Sequence, residues 1–330
     1  MSRRRCAAYD GGVTPAPATR TPASAVHARP VALGLLLVVA AVWGFHWVVV
    51  KQGLAYMPPF TYGTLRLLTG LLTVVAILAV QRRLRMPPRA DLPIIGSVGV
   101  GQVAAGVVIM NLALQAVPAG RSSVLVYSTP LWTALLLWLV FRTPPRRAEL
   151  VGLVLGITGI AALVNPSVID WAMPAELVGT LGLLAQAILW GVVAIHIRRH
   201  RWTASPLDLQ PWILLTALVP VAILTLLLES GQAVRWEPAT VLILAYSGVL
   251  ATAFANWANQ SATRSLGPMA ASLGFLLAPV VGLVAGAVVL HESLGPIDIA
   301  GFVLVLGGIA AASLTAPSPA DAEREPRPVA

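Results

Sequence analysis

The chain has 330 residues, of which 57% are hydrophobic and only 11% charged, and its mean hydropathy is +0.82. Soluble domains carry about 25% charged residues; this chain has too few to cover a water-facing surface, so most of it must face lipid or other apolar helices. The net charge of +9 does not point to nucleic acid, because the basic residues are scattered over short loops and tails and form no single face.

Apolar runs of about 18 to 25 residues, each enough for one helix across about 30 Å of hydrocarbon, recur along the chain. In order they lie near 31 to 52, 59 to 80, 92 to 115, 119 to 141, 147 to 165, 175 to 197, 211 to 229, 238 to 263, 267 to 290 and 296 to 314. The breaks between them carry turn and charge chemistry, as in QRRLRMPPRAD at 81 to 91, RTPPRR at 142 to 147 and RRHRW at 198 to 202. The runs lack the two-residue alternation of a membrane barrel. Residues 1 to 30 and 315 to 330, rich in Pro, Ala, Ser, Thr and Arg, read as disordered cytoplasmic tails. A long polar stretch precedes the first apolar run, which does not fit a cleavable signal. The single cysteine, Cys6, falls in that tail and can form no disulfide within the chain.

Charge sets the expected orientation. If the first helix leaves the cytoplasm, the inner loops and tails hold 18 of the 22 basic residues, and only Lys51, Arg66, Arg121 and Arg235 lie outside or in the outer half. That loop-by-loop alternation predicts both termini inside and an even number of helices. The basic loops also suit anionic membrane lipid.

Two stretches of the sequence echo each other. Pro130 to Gly152 spans 22 residues, as does Pro279 to Gly301; Pro130 to Gly159 spans 29, as does Pro279 to Gly308. ILWG ending at Gly191 echoes AVWG ending at Gly44. The chain therefore reads as an all-α membrane protein of ten transmembrane helices in two five-helix repeats, at 31–165 and 175–314, joined by an external linker at 166–174. An odd number of helices per repeat inverts the second relative to the first, the architecture of alternating access. Pro130 and Pro279 fall inside corresponding helices, where each removes a backbone donor; they read as hinges, or simply as bends that fit neighbouring helices.

WG followed by Lys51, PPFTYGTLR through Arg66, the YSTP of the fourth run and GPMAASLGFLLAPVVGLVAGAVVLHESLGPIDIAGFVLVLGGIA together resemble the EamA-type branch of the drug/metabolite transporter superfamily. The resemblance spans about residues 31 to 314, and in it Gly267-Pro268, Pro279, Glu292 and Gly301 keep the family's order. It implies a bacterial inner-membrane permease, often an exporter of amino acids, other metabolites or drugs. Similar first halves usually end their fourth helix with a glutamate. Here the repeat spacing sets Thr143 against Glu292, which puts in doubt any mechanism that needs two glutamates.

The Asp and Glu residues fall in tails, in loops or near helix ends, so no carboxylate is expected near the midplane. His46 is then the titratable side chain nearest the bilayer centre and Arg66 the deepest permanent charge. Charges at such depth usually face a wet cavity. His46 reads as a substrate or proton site, or as a neutral imidazole hydrogen-bonded to a neighbouring helix. Arg66 reads as a substrate contact or as an outer-interface snorkel, and Lys51 as an interface anchor. Trp43, Gln102, Tyr127, Gln186, Trp190 and Asn256 complete the candidate substrate-binding set, with interhelical bridging as the other reading for the two glutamines. GLVLG at 152 to 156 and GLVAG at 282 to 286 fit close helix packing in a monomer, or a homodimer seam. His291-Glu292 lacks the second histidine of HExxH, and no P-loop, GxSxG or CxxC appears. No catalytic residue, metal or cofactor is therefore expected, and an enzyme, receptor or scaffold is the less favoured reading. The expected partners are a small-molecule substrate and membrane lipid.

Overall fold

The computed structural model describes residues 24–165, 173–266 and 276–314, and among them there is no strand. Cys6, Asp170, the Gly267-Pro268 pair, the tail from 315 onward and most of the expected linker lie outside the described residues. The helices are α1 (Ser24–Gly53), α2 (Pro59–Val80), α3 (Arg89–Ala113), α4 (Ala119–Phe141) and α5 (Arg147–Leu163), then α6 (Pro174–Arg199), α7 (Pro206–Leu228), α8 (Pro238–Thr263), α9 (Leu277–Val289) and α10 (Pro296–Leu314). Among the described residues seven of these, α1 to α4 and α6 to α8, are long and apolar enough to cross a membrane.

Proline marks where helices begin. Pro59, Pro174, Pro206, Pro238 and Pro296 each open a helix, where the missing N–H would have had no intrahelical partner. The expected start of the seventh run at 211 is therefore corrected: Pro206 holds the opening position, and Pro211 and Pro220 lie inside α7. α1 likewise begins at Ser24, ahead of the expected entry at 31. Hydropathy could not show that extension because Arg29 and His27 lie within it.

The bundle turns apolar side chains outward: Leu226, Leu227, Val288 and Val303 are each more than 60% exposed. Such a surface requires an apolar surrounding, which a bilayer supplies. Inside, Tyr62, Leu67, Leu125, Leu163, Leu183 and Leu209 are sealed. α5 and α10 pack along each other, α1 lies against α8 and α9, and α6 lies against α3 and α4. α2 rests on α7 and α8, and α7 on α3.

Small residues permit the closest of these approaches. A methyl on Gly152 would sit 2.5 Å from the carbonyl oxygen of Gly308, and one on Gly159 would sit 2.7 Å from that of Gly301. The glycines of both Gly-xxx-Gly stretches meet the chain's own groups: Gly156 packs on Leu131, Gly282 on Ser123 and Gly286 on Glu292.

Candidate functional site

Two helices are interrupted within their spans. α3 carries a π-helical segment at Ser97–Ala104 and α8 one at Ala245–Phe254. A π segment shifts bonding from i−4 to i−5, leaves backbone carbonyls needing other donors, and recurs at functional sites. Each segment receives an indole from another helix: Trp43 donates its Nε1–H to the Ala251 carbonyl at 2.8 Å, and Trp190 donates to the Gln102 carbonyl at 3.0 Å.

Around the α8 segment the structure gathers Trp43, His46, Arg66 and Asn256. Arg66 comes from α2, its Nε 3.4 Å from the Thr252 hydroxyl. The Thr252 hydroxyl in turn donates to the Ser247 carbonyl at 2.7 Å, a five-residue step within the π segment. The Thr252 carbonyl accepts from Asn256 Nδ2 at 2.6 Å and from Gln210 Nε2 of α7 at 3.3 Å. The Tyr62 and Ser247 hydroxyls share a hydrogen bond of 2.6 Å. The buried His46 ring stacks on Tyr246, 6.2 Å between centroids, and the Tyr246 hydroxyl donates to the Val42 carbonyl at 2.8 Å. Two nitrogens of this group, His46 Nε2 and Arg66 Nη1, are buried with no hydrogen-bond partner among the described residues.

Gln102, Gln186 and Trp190 gather instead around the α3 segment. Gln186 is sealed, with its Oε1 unpartnered among the described residues, and its Nε2 lies near Gly106 of α3. Tyr127 packs with Trp190 against the largest apolar cluster. The expected set thus divides between two π segments. Sequence reading missed Tyr62, Gln210, Ser247 and Thr252; the available signal was polar side chains inside otherwise apolar runs, diluted by the many Ser and Thr residues that bond only to their own helix.

Pro130 breaks α4 in two, Ala119–Tyr127 and Thr129–Phe141 with a turn at Ser128. The carbonyl it would have bonded, that of Val126, accepts from the Thr129 hydroxyl at 2.8 Å. The carbonyl is therefore not left open to a ligand, and what remains of the proline's effect is the bend. Pro279 lies in the first turn of α9 as described, and its carbonyl is 3.5 Å from the Ser123 hydroxyl of α4.

Charge concentrates at the helix ends. Lys51 is not a lipid-interface anchor: its ammonium is 2.9 Å from Glu292 and 3.1 Å from the Val117 carbonyl. A lone lysine at a helix end gives no hint of a partner so distant in sequence. Glu292 also accepts the N–H groups of Ala119 at 2.6 Å and Gly120 at 3.0 Å, capping α4 where its dipole favours an anion. Arg121 is buried against Glu176 at 2.6 Å and Asp298 at 3.5 Å. Arg121, Glu292 and Asp298 border a cleft of about 540 Å³. At the same end Glu229 caps α2 through the N–H groups of Phe60 and Thr61. At the opposite end Asp91 accepts from Thr203 and Ala204 N–H and meets His200 at 2.8 Å, and His196 Nδ1 meets the Ser97 hydroxyl at 2.8 Å. Thr143, set against Glu292 by the repeat spacing, carries no carboxylate to cap a helix in the same way; it lies just past the end of α4, its N–H bonding the Leu137 carbonyl at 3.2 Å. No cluster of three or more metal-ligating side chains occurs among the described residues.

Comparison with known proteins agrees with a membrane carrier. The chain is 29% identical over 289 residues to a probable amino-acid metabolite efflux pump of Salmonella typhimurium, covering 83% of this chain and 92% of that one. It is 26% identical over 281 residues to the uncharacterized transporter YoaV of Bacillus subtilis, covering 84% and 95%. A solved crystal structure shares the fold with a TM-score of 0.59 at 20% identity, over 87% of this chain and 98% of that one. The model of the EamA-like transporter family matches at residues 31–165 and again at 177–314. A multi-pass helical bundle with an apolar exterior, matched over most of its length by that model, belongs to the EamA-like transporter family and is a membrane transporter.

Proposed function

We propose that this chain is a secondary transporter that exports a small metabolite, such as an amino acid, or drugs across a bacterial inner membrane. It works by alternating access between two inverted five-helix repeats, α1 to α5 and α6 to α10, as ten transmembrane helices with both termini cytoplasmic. The observation that carries this reading is that contacts recur when each half is exchanged for the other. Trp43 on the Ala251 carbonyl matches Trp190 on the Gln102 carbonyl. The α3 and α8 π segments correspond, as do the left-handed residues Arg142 and His291. The Gly152–Gly308 contact becomes Gly301–Gly159, as a two-fold axis between α5 and α10 requires. The two separate stretches matched by the family model support the same division. Inverted repeats let one site face either side as the halves rock. The positive-inside distribution supports the orientation, and the inward-facing Gly-xxx-Gly glycines support a monomer as the working unit.

Counterflow in proteoliposomes is the test: a carrier exchanges labelled for unlabelled solute unchanged, whereas an enzyme consumes it. Topology is read independently. With Cys6 replaced, cysteines at Arg85 and Arg199 should label only from the cytoplasm and those at Gln232 and Asp170 only from outside. Any reversed pair refutes the ten-helix arrangement.

A further inference from the structure

We infer that the α8 π segment and Arg66 form the anion-recognition half of the substrate site, and that the transported solute carries a carboxylate. This rests on the transporter reading above and specifies its substrate class.

Charge pairing sets Arg66 apart. Among the described residues, the other basic side chains at the charged end of the bundle have partners. Lys51 meets Glu292, Arg121 meets Glu176 and Asp298, and Arg235 donates to the Ala55 carbonyl and lies over the Tyr56 ring. Arg66 differs: it has no salt bridge among the described residues. Its single hydrogen bond there is a long one, 3.4 Å from Nε to the Thr252 hydroxyl, and its buried Nη1 has none. Arg66 is the eighth of the 22 residues of α2, within the span though short of its centre; a guanidinium nitrogen buried there without an acceptor is costly, and no carboxylate among the described residues supplies one.

The polar groups beside Arg66 are held in place by hydrogen bonds to one another. Thr252, whose hydroxyl faces Arg66, is fixed through its carbonyl by Asn256 and Gln210 and through its hydroxyl by the Ser247 carbonyl. Tyr62 of α2 ties to the same segment through its hydroxyl bond to Ser247. His46, whose buried Nε2 also lacks a partner among the described residues, stacks on Tyr246 of the same π segment. The guanidinium presents a planar fork suited to a two-oxygen anion. A carboxylate bound there would supply the missing acceptor for Nη1 and neutralise the site.

The ligand chemistry could belong to an amino acid or to a simple organic acid. Both share the carboxylate, and the test separates them. Purified wild-type protein in proteoliposomes is assayed for counterflow of a panel of labelled L-amino acids and of benzoate, each competed by its own acid and by its primary amide. The expected result is exchange of at least one acid, with its amide about 10- to 100-fold weaker, the range for a charge-assisted hydrogen bond. Competition by the amino acid but not by its deaminated acid marks a zwitterion site; equal competition marks a plain carboxylate site. Arg66→Gln should weaken that acid by a similar factor, and Arg66→Lys, which keeps the charge and loses the fork, should retain part of it. Monodispersity and thermal stability of both variants are followed alongside. Equal competition by acid and amide, or wild-type affinity in a folded Arg66→Gln protein, overturns the assignment. Exchange only of solutes without an anionic group, tested with a cationic drug panel, overturns it while leaving the transporter reading intact. Failure of wild-type protein to move any solute in either panel tells against both.

Discussion

Removing the Glu292 carboxylate should be strongly destabilising. Its two oxygens accept from the N–H groups of Ala119 and Gly120 and from the Lys51 ammonium, and the side chain is only 10% exposed. In Glu292→Ala, two N–H groups at the start of α4 and an ammonium lose their acceptor together. Hydrogen bonds from backbone N–H groups to a charged acceptor contribute about 1.5 to 3 kcal/mol each without adding fully, and the half-open ion pair adds at most about 1 kcal/mol. The expected loss is therefore about 2 to 4 kcal/mol. Lys51→Ala is a different case. The lysine is 28% exposed, and the carboxylate it leaves behind keeps both backbone donors, so the expected loss is about 1 kcal/mol. Glu292→Gln should fall between, since the amide retains one acceptor oxygen but no charge. Unfolding of the purified protein in one detergent, followed by tryptophan fluorescence, compares all three and the Lys51→Ala/Glu292→Ala double variant. The double variant should be scarcely worse than Glu292→Ala alone. If Lys51→Ala were as destabilising as Glu292→Ala, the ion pair and not the capping of α4 would be the main contribution, which would refute this account of the carboxylate.

Gly152→Leu should be destabilising by several kcal/mol, because even the first side-chain carbon would meet the Gly308 carbonyl at 2.5 Å; a normal yield of folded, monodisperse protein would show that α5 and α10 separate easily. Pro130→Ala should restore a continuous α4, leave abundance close to wild type and reduce transport, as should Pro279→Ala in α9; wild-type exchange rates in both would remove the hinge role. His46→Gln should flatten the pH dependence of transport while preserving solute exchange, since His46 is a buried imidazole with an open nitrogen and imidazole is a side chain able to take up and release a proton in transport; an unchanged pH profile would leave it as a packing residue against Tyr246.

The sequence by itself determined the environment and the class. Scarce charge and long apolar runs require lipid, and prolines at helix openings such as Pro59, Pro174 and Pro238 punctuate the spans locally. The equal spacings from Pro130 to Gly152 and from Pro279 to Gly301 were readable because spacing is a property of the chain alone. Family motifs were readable for the same reason. The site was only partly legible. Arg66 and His46 stood out because ionisable groups are rare in apolar runs. Their grouping with Asn256, and the separate grouping of Gln186 with Trp190, depended on two π segments, which hydropathy does not register because they change hydrogen bonding without changing composition. Pairings such as Lys51 with Glu292 and Arg66 with Thr252 join residues distant in sequence. Only tertiary packing decides them, because a side chain's local pattern states what it needs and the neighbouring helices decide what it meets.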